Sequence, residues 1–201
     1  MRLFRTSILA LSLFAVGCGH APPEQTADAC LILEDNRSWW RALQRSERRW
    51  GISPAIQLAI LKRESSFNAH ARPARRRLLG FIPGSRPSSA YGYAQALDGT
   101  WDEFQEATGQ RFADRDSFED AVDFVGWYGH LSGQRSGIAP TDARALYLAY
   151  HQGHGGYNRG TYRQHAWLMR AADTVAQDAA RYQSQLDRCE RRLNRGRFWL
   201  L

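Results

Sequence analysis

The C-terminal third of the chain carries the clearest periodic pattern in the sequence. From position 168 onward, apolar residues recur in steps of three and four, the spacing of one helix face. This stripe consists of Leu168, Ala171, Val175, Ala179, Tyr182, Leu186, Cys189 and Leu193. Alanine at several stripe positions favours close packing on a globular body, and a free coiled coil is the alternative. The pattern therefore predicts a long C-terminal helix packed against a core.

Other segments also have helical spacing, bounded by capping residues and glycines. The predicted helices cover 39–50, 54–67, 100–109, 117–133 and 141–153, the last one breaking in the glycine-rich stretch 153–156. The predicted N-terminal caps are Ser53, Thr100, Ser117 and Thr141, and the predicted C-terminal ends are Gly51, Gly109 and Gly133. No segment has a convincing strand pattern. A chain of 201 residues is long enough for one domain with a proper core, so we predict a single, mainly helical domain.

The N-terminus has the features of an export signal. Two arginines precede an apolar run at 8–16, which is too short for a permanent membrane span. Residues 15–18 resemble a bacterial lipobox, with Cys18 as the acylated residue, and Gly19 favours the outer membrane by analogy with Gram-negative lipoproteins. We predict a signal peptide at 1–17, a lipidated tether at 18–29 and the catalytic domain at 30–201, in the periplasm. Release as a soluble protein by the ordinary signal peptidase is the alternative.

The cysteine count agrees with export. Without Cys18, the three cysteines leave an even pair, Cys30 and Cys189, in an oxidising compartment. A disulfide between them would tie the two ends of the domain together. The alternative is that both are small buried thiols.

The net charge of +7 comes almost entirely from arginine. An arginine excess is compatible with nucleic-acid binding, but an exported protein seldom meets nucleic acid, and no nucleic-acid-binding signature is present. A basic surface also suits an anionic wall polymer, whose carboxylates pair with guanidinium groups. Genomic base composition is a further source of arginine.

Glu64 is the strongest catalytic candidate. Ile56, Ile60 and Glu64 recur every four residues on the helix that follows Ser53, which places the carboxyl among apolar neighbours. Burial and the negative end of the helix dipole both favour the protonated form, which a general acid needs at neutral pH. The alternative is an exposed glutamate beside Lys62 and Arg63.

Three short motifs follow in a fixed order. They are ESSF at 64–67, YGYAQALDGTW at 91–101 and LAYHQG at 148–153. Together they resemble the lytic transglycosylase (SLT) family, whose signature runs E-S-x-F, then G-L-M-Q-x-M-P-x-T, then A-Y-N-A-G. The resemblance spans about 39–157. It implies a goose-lysozyme-like helical domain and, with the lipobox, a lipoprotein member.

The resemblance also implies the reaction. The substrate would be the glycan strands of peptidoglycan, cleaved at the β-1,4 bond between N-acetylmuramic acid and N-acetylglucosamine. Glu64 would protonate the leaving oxygen and then accept the proton of the muramyl 6-hydroxyl, which gives a 1,6-anhydromuramyl end without water. No cofactor or metal is implied. The pair His151 and His154 lies where the helix breaks and has no evident third ligand.

Substrate contacts are expected at Ser65, Ser66, Tyr91, Tyr93, Gln95, Tyr150, His151 and Tyr157. The tyrosines at 91, 93 and 157 are expected to form cleft walls, because aromatic rings stack on sugar rings. Gln95 would bind an N-acetyl group, and Tyr150 would donate a hydrogen bond to Glu64. His151 stands where the family has asparagine, which would make that contact sensitive to pH. The alternatives are local caps for the serines and a core position for Tyr150.

The segment 68–89 is predicted to be an irregular loop, longer than in typical members. Its basic residues are Arg72, Arg75, Arg76, Arg77 and Arg86. They would grip stem-peptide carboxylates or act as a lid, and a solvated basic loop is the alternative.

Two rival functions remain open at this point. The first is a hydrolytic muramidase that uses Glu64 with a second carboxylate, Asp98 or Asp102. The second is a peptidoglycan-binding lipoprotein that keeps the cleft without the chemistry. Protein partners, oligomeric state and the choice between cleavage at chain ends and within strands are not predicted.

Overall fold

The structure, a computed structural model, describes residues 22–75, 77–78 and 82–195. The predicted signal peptide at 1–17, Cys18 and Arg76 lie outside the described residues, so export and lipidation stay predictions. In the described part of the chain, no helix is both long and apolar enough to span a membrane.

Helices dominate the described chain, which confirms the mainly helical prediction. The helices are α1 (Ala29–Asp35), α2 (Arg37–Trp50), α3 (Pro54–Ser65), α4 (Asp98–Thr108), α5 (Phe118–Ser136), α6 (Ala143–Asn158) and α7 (Ala166–Asn194), with a 3-10 turn at Thr161–Gln164 between the last two.

The predicted C-terminal helix is confirmed as α7. Its whole predicted apolar stripe is buried, from Leu168 to Leu193. The stripe packs on α3, α6 and α1. One ion pair is buried beside the apolar stripe. Asp178 of α7 is 7% exposed, and its carboxylate lies 2.8 Å from the ammonium group of Lys62 of α3. This pair ties α7 to the helix that carries Glu64.

Helix α3 is buried on every side in its first two turns. Residues 54–61 are all buried, and the helix contacts α2, α5 and α7. The sequence prediction of one apolar face at Ile56 and Ile60 was therefore too narrow. An apolar helix with neighbours all round is a core helix, and its position follows from the packing of the whole domain.

Four predicted caps are confirmed, one of them Gly109, which ends α4 in the left-handed conformation with φ 73°. Gly51 ends α2 in the left-handed conformation, with φ 77°. Ser53 accepts a hydrogen bond from the Ile56 amide at the start of α3, and Ser117 accepts one from the Asp120 amide at the start of α5.

Two predicted helix starts are wrong. Helix α4 begins at Asp98, not at Thr100, because the amide of Asp98 is already satisfied by the Ser89 hydroxyl at 3.1 Å. Helix α6 begins at Ala143, and its cap is Asp142 and not the predicted Thr141, because the Asp142 side chain accepts a hydrogen bond from the Ala145 amide.

The predicted end of α5 at Gly133 is also wrong. The helix continues to Ser136, and Gly137 with φ 65° ends it by donating back to the carbonyls of Ser132 and Gly133. The predicted break at Gly153 is present, with φ 69° and ψ 156°, but the chain turns helical again up to Asn158.

Two features were missed in sequence. The loop at 68–89 contains two short antiparallel strands, β1 (Arg77–Leu78) and β2 (Ile82–Pro83), with Leu78 opposite Ile82. Helix α1 was not recognised because its seven residues are too few to show a helical period.

The N-terminal end of the described chain is fastened to α7. Cys30 and Cys189 form a disulfide with Cα atoms 6.1 Å apart. Gln185 accepts from the amide of Ala29 at 2.9 Å and donates to the carbonyl of Ala27. The helical domain therefore begins slightly before the predicted boundary at residue 30.

We expect reduction of this disulfide to destabilise the domain strongly. The bridge spans a sequence separation of 159 residues, for which loss of the cross-link costs up to about 5 kcal/mol in the chain-entropy estimate. Thermal unfolding with and without reductant measures the effect, and the Cys30→Ser/Cys189→Ser variant is the control, which should unfold at one temperature in both conditions. Two free thiols in the oxidised mature protein, detected by mass spectrometry, would refute the bridge.

Candidate active site

Glu64 lies in the last turn of α3, and the two residues that follow the helix have positive φ angles. Ser66 ends the helix in the left-handed region, with φ 51° and ψ 38°. Phe67 follows with φ 61° and is fully buried, which turns its ring into the core near Trp39. The Glu64 side chain therefore lies at the edge of the core, whereas the first two turns of α3 lie within it.

The pKa of Glu64 is raised to about 7, chiefly because burial disfavours the charged form. A hydrogen bond from Tyr147 and the charge of Arg63 both lower the pKa, but they do not offset the loss of hydration. The C-terminal position on α3 adds the negative end of the helix dipole, which also opposes ionisation. Glu64 is therefore partly protonated at neutral pH and has groups at hand that stabilise its anion.

The tyrosine that contacts Glu64 is Tyr147, not Tyr150 as predicted. Tyr147 is 3% exposed and hydrogen-bonded to Glu64. The hydroxyl of Tyr150 donates instead to the carbonyl of Ala94 at 2.6 Å, so its one proton is not available to Glu64. The two residues are one helical turn apart on α6. The sequence analysis did not single out Tyr147, and its place one turn before the motif tyrosine is the one sequence signal that could have made it a candidate.

A tight turn at residues 91–96 forms the next part of the site. Tyr91 and Ala96 close it by an antiparallel bridge. Gly92, at φ 75°, cannot be replaced without a clash, because an added Cβ would lie 1.9 Å from the carbonyl oxygen of Arg115. The Gln95 amide nitrogen donates to the carbonyls of Ala71 and Gly92, both at 2.8 Å. Gln95 thus fastens the turn to the chain after α3, and its predicted contact with an N-acetyl group stays a prediction.

Backbone strain concentrates in these two motifs. In the described chain, the residues other than glycine with positive φ are Ser66, Phe67 and Gln95. Each such conformation costs about 1–3 kcal/mol and persists only where the surroundings enforce it. All of them fall in the segments ESSF and YGYAQ, so the backbone is constrained where the sequence predicted the site.

Three of the predicted substrate contacts, Tyr93, Ser65 and Ser66, differ in how far they are exposed. Tyr93, expected as a cleft wall, is a core residue: it is 3% exposed and meets the rings of Trp39 and Phe118 edge-on. Ser65 is partly buried, and its hydroxyl donates to the Leu61 carbonyl at 3.3 Å. Ser66 is exposed at the left-handed cap.

His151 and Trp167 form an aromatic pair next to Tyr147, and the sequence analysis did not identify Trp167. His151 lies one turn beyond Tyr147 on α6, with ring centroids 6.4 Å apart. Its ring meets Trp167 edge-on at 5.0 Å, and the Trp167 side chain is 48% exposed. Burial and the charges of Arg63 and His165 lower the pKa of His151. Trp167 stands at the start of α7, outside every motif, so only the tertiary contact with His151 identifies it.

The predicted wall residue Tyr157 lies on the resumed part of α6. Its ring is partly buried and stacks on Tyr162 of the 3-10 turn, with centroids 5.3 Å apart. The structure therefore gives it an aromatic partner, and its role toward substrate stays a prediction.

Tyr91, the first residue of the 91–96 turn, has several polar partners. Its hydroxyl donates to Asp116 at 2.9 Å and lies 3.1 Å from the Nδ1 of His70. The guanidinium of Arg72 lies over the ring, 4.1 Å from its centroid. Tyr91 is therefore a rigid, partly buried platform held on both its edge and its face.

Metal-binding geometry was not found in the described chain, where no group of three or more histidine, cysteine or acidic residues could hold an ion. His154, the second histidine of the pair considered in sequence, stacks on Tyr128 with centroids 4.5 Å apart. Its Nε2 lies 3.0 Å from the Ser132 hydroxyl.

The fold and the site together form a mainly helical domain in which Glu64 ends a core helix and is hydrogen-bonded to Tyr147, whose ring lies 6.4 Å from that of His151. A family model described as the transglycosylase SLT domain matches residues 6–189. This is most of the chain, and the chain therefore belongs to the transglycosylase SLT domain family, which acts on the glycan strands of peptidoglycan. Neither a curated protein nor a solved structure matches it significantly.

The raised pKa of Glu64 has a consequence for stability. A carboxyl whose folded pKa of about 7 exceeds its unfolded value of 4.5 binds more protons when folded, so stability falls as pH rises between these values and is level above them. We expect Glu64→Gln to be more stable than wild type above pH 7, by on the order of 3 kcal/mol. The advantage should vanish below pH 4.5.

Chemical denaturation across this pH range measures the difference. Glu106→Gln, at an exposed position on α4, is the matched control and should show no such divergence. A Glu64→Gln advantage that does not change with pH would contradict the raised pKa.

Proposed function

We propose that the protein is a lytic transglycosylase that cleaves the β-1,4 bond between N-acetylmuramic acid and N-acetylglucosamine without water. The observation that supports this most is the carboxyl of Glu64, which ends a core helix, is hydrogen-bonded to Tyr147 and has a pKa raised to about 7. Membership of the SLT domain family indicates that the substrate is peptidoglycan, and the environment of Glu64 supports acid–base catalysis by this residue.

In the first half of the reaction, protonated Glu64 acts as the general acid. Its proton goes to the glycosidic oxygen as the bond from that oxygen to the muramyl anomeric carbon breaks, and the N-acetylglucosamine end leaves with a hydroxyl. Because the pKa is near neutral, a large fraction of the enzyme carries this proton at pH 7, and the acid is still strong enough to donate it.

In the second half, ionised Glu64 acts as the base. It removes the proton of the muramyl 6-hydroxyl while that oxygen bonds to the anomeric carbon, which closes the 1,6-anhydro ring and restores the acid. The hydrogen bond from Tyr147 and the charge of Arg63 stabilise the carboxylate between the two halves. The same carboxyl thus needs both its burial and its two stabilising neighbours.

One carboxyl suffices for this scheme, whereas a muramidase of the usual kind needs a second one near the same bond. The two candidates for that second group are engaged or exposed elsewhere. Asp98 pairs with Arg115 at 2.8 Å and is 63% exposed, and Asp102 is exposed on α4. The charged group that acts on Glu64 is Arg63, and its hydrogen-bond partner is Tyr147. This arrangement favours the transglycosylase over the hydrolase.

The exposed ring of Trp167 suits a polysaccharide. Exposed ring faces stack on the apolar faces of pyranose rings, and the half-exposed ring of Trp167 contacts His151, which lies one turn beyond Tyr147 on α6. We assign sugar stacking to Trp167 and a hydrogen bond to the same sugar to His151. The ring of Tyr91 has Arg72 over its face, so we assign no stacked sugar to it.

Glu64→Gln should abolish cleavage and spare binding, because glutamine keeps the shape of the side chain and has no proton to exchange. Release of soluble fragments from purified peptidoglycan should fall by at least about 100-fold, the usual share of general acid–base catalysis. Co-sedimentation with peptidoglycan should stay within about twofold of wild type, and Glu106→Gln should cleave normally.

The mass of the wild-type fragments decides between the functions. Anhydromuramyl ends are lighter by one water than reducing ends, so reducing ends would show a hydrolase. Binding without any released fragment would show a wall-binding protein instead.

Tyr147→Phe and Tyr150→Phe should have different effects on the pH profile. Loss of the Tyr147 hydroxyl removes a bond to the Glu64 carboxylate, so the pKa of Glu64 rises and the alkaline fall of kcat/KM moves to higher pH, with a lower kcat. Tyr150→Phe leaves the Ala94 carbonyl without its donor, which should lower stability by about 1–3 kcal/mol and leave the alkaline limb in place. Equal shifts of that limb in both variants would refute the assignment of Tyr147.

A further inference from the structure

A small polar pocket lies beside Tyr91, outside the catalytic scheme. It has a volume of about 260 Å³, and its walls include Arg72, Arg86, Arg115, Tyr91 and Asp98. This is room for several water-sized groups, which suits a carboxylate with the residue that carries it.

Structural contacts orient all three arginines of the pocket. Arg72 is stacked on the Tyr91 ring. Arg86 donates to the carbonyl of Pro73. Arg115 donates to the carbonyls of Ser89 and Ala96, at 3.2 and 3.0 Å, and pairs with Asp98. Because these contacts hold the guanidinium groups in place, less side-chain entropy is lost when a ligand binds.

The charge of the pocket favours an anion. Three guanidinium groups face a single carboxylate, Asp98, among the lining residues. The nearby Asp116 is engaged by Tyr91 and His70. Each guanidinium carries five N–H donors, more than the contacts found here use. Planar donor pairs of this kind match the two oxygens of a carboxylate.

The pocket is built on the same turn as the catalytic site. Tyr91 begins the 91–96 turn and lines the pocket. Within the same turn, the carbonyl of Ala94 accepts a hydrogen bond from the hydroxyl of Tyr150. The charge of Glu64 acts on Tyr150. A glycan strand that runs from Glu64 along this turn would present the substituents of its muramyl residues to these arginines.

We propose that this pocket binds a carboxylate of the peptide that peptidoglycan carries on its muramyl residues, and so makes the enzyme selective for peptide-bearing strands. The inference rests on the proposed function for the identity of the polymer. The pocket itself is defined by its own residues, and its ligand chemistry is a carboxylate on a short peptide.

Binding tests the pocket without catalysis. The probe is a soluble disaccharide tetrapeptide with free carboxylates, compared with the same compound after amidation of those carboxylates, and the protein is the Glu64→Gln variant. Adding Arg72→Gln should weaken binding of the free-carboxylate probe about tenfold, since one charge-assisted contact is lost, and amidation should have a similar effect. Arg188→Gln, an exposed arginine next to the disulfide, is the control and should bind like the parent.

Cleavage supplies the second measurement. Arg72→Gln in the otherwise native enzyme should raise KM on peptide-bearing strands about tenfold more than on peptide-free glycan, and Arg72→Lys should recover only part of the loss. Equal binding of the free and amidated probes, or equal effects of Arg72→Gln on both polymers, would overturn the pocket. Absence of any fragment release by wild type would overturn the proposed function instead, and the binding comparison would still decide the pocket.

Discussion

The site depends on the burial of one helix up to its last turn. The first two turns of helix α3 are enclosed by α2, α5 and α7. The Lys62–Asp178 ion pair joins the C-terminal turn of α3, which carries Glu64, to α7. Glu64 is thereby kept at the margin of the core, where loss of hydration raises its pKa to about 7. A surface helix with the same sequence would present an ordinary, ionised glutamate. The chemistry is therefore a property of the packing and not of the residue alone.

The same packing maintains two strained turns. Ser66 and Phe67 leave α3 with positive φ, and Gln95 has it in the turn that faces them. The fully buried Phe67 ring anchors the first turn, and the Gln95 amide joins the second turn to the chain after α3 through the Ala71 carbonyl. Strain of this kind is retained where the surroundings enforce it, so the core determines the orientation of the groups around Glu64.

Prediction from sequence succeeded where the determinants are local. Helical period located the buried stripe of α7, and cap chemistry located Ser53 and Ser117, because these patterns depend on residues within a few positions. It failed at Thr100, because the Ser89 hydroxyl accepts a hydrogen bond from the first amide of α4. It failed at Gly133, because the helix continues and Gly137 caps its end. Tyr93 was predicted as a cleft wall and lies in the core, and the half-exposed Trp167 was not singled out, since exposure of an aromatic ring depends on its neighbours in space.

The sequence by itself determined the helical class, the cysteine pair available for a bridge and the position of Glu64 at the end of its helix. These follow from composition, parity and short-range spacing. The tertiary structure alone decided that Tyr147 and not Tyr150 bonds Glu64, that Trp167 flanks the site, and that three arginines share a pocket. Contacts between residues far apart in the chain set hydration and hydrogen bonding, and no local pattern encodes them.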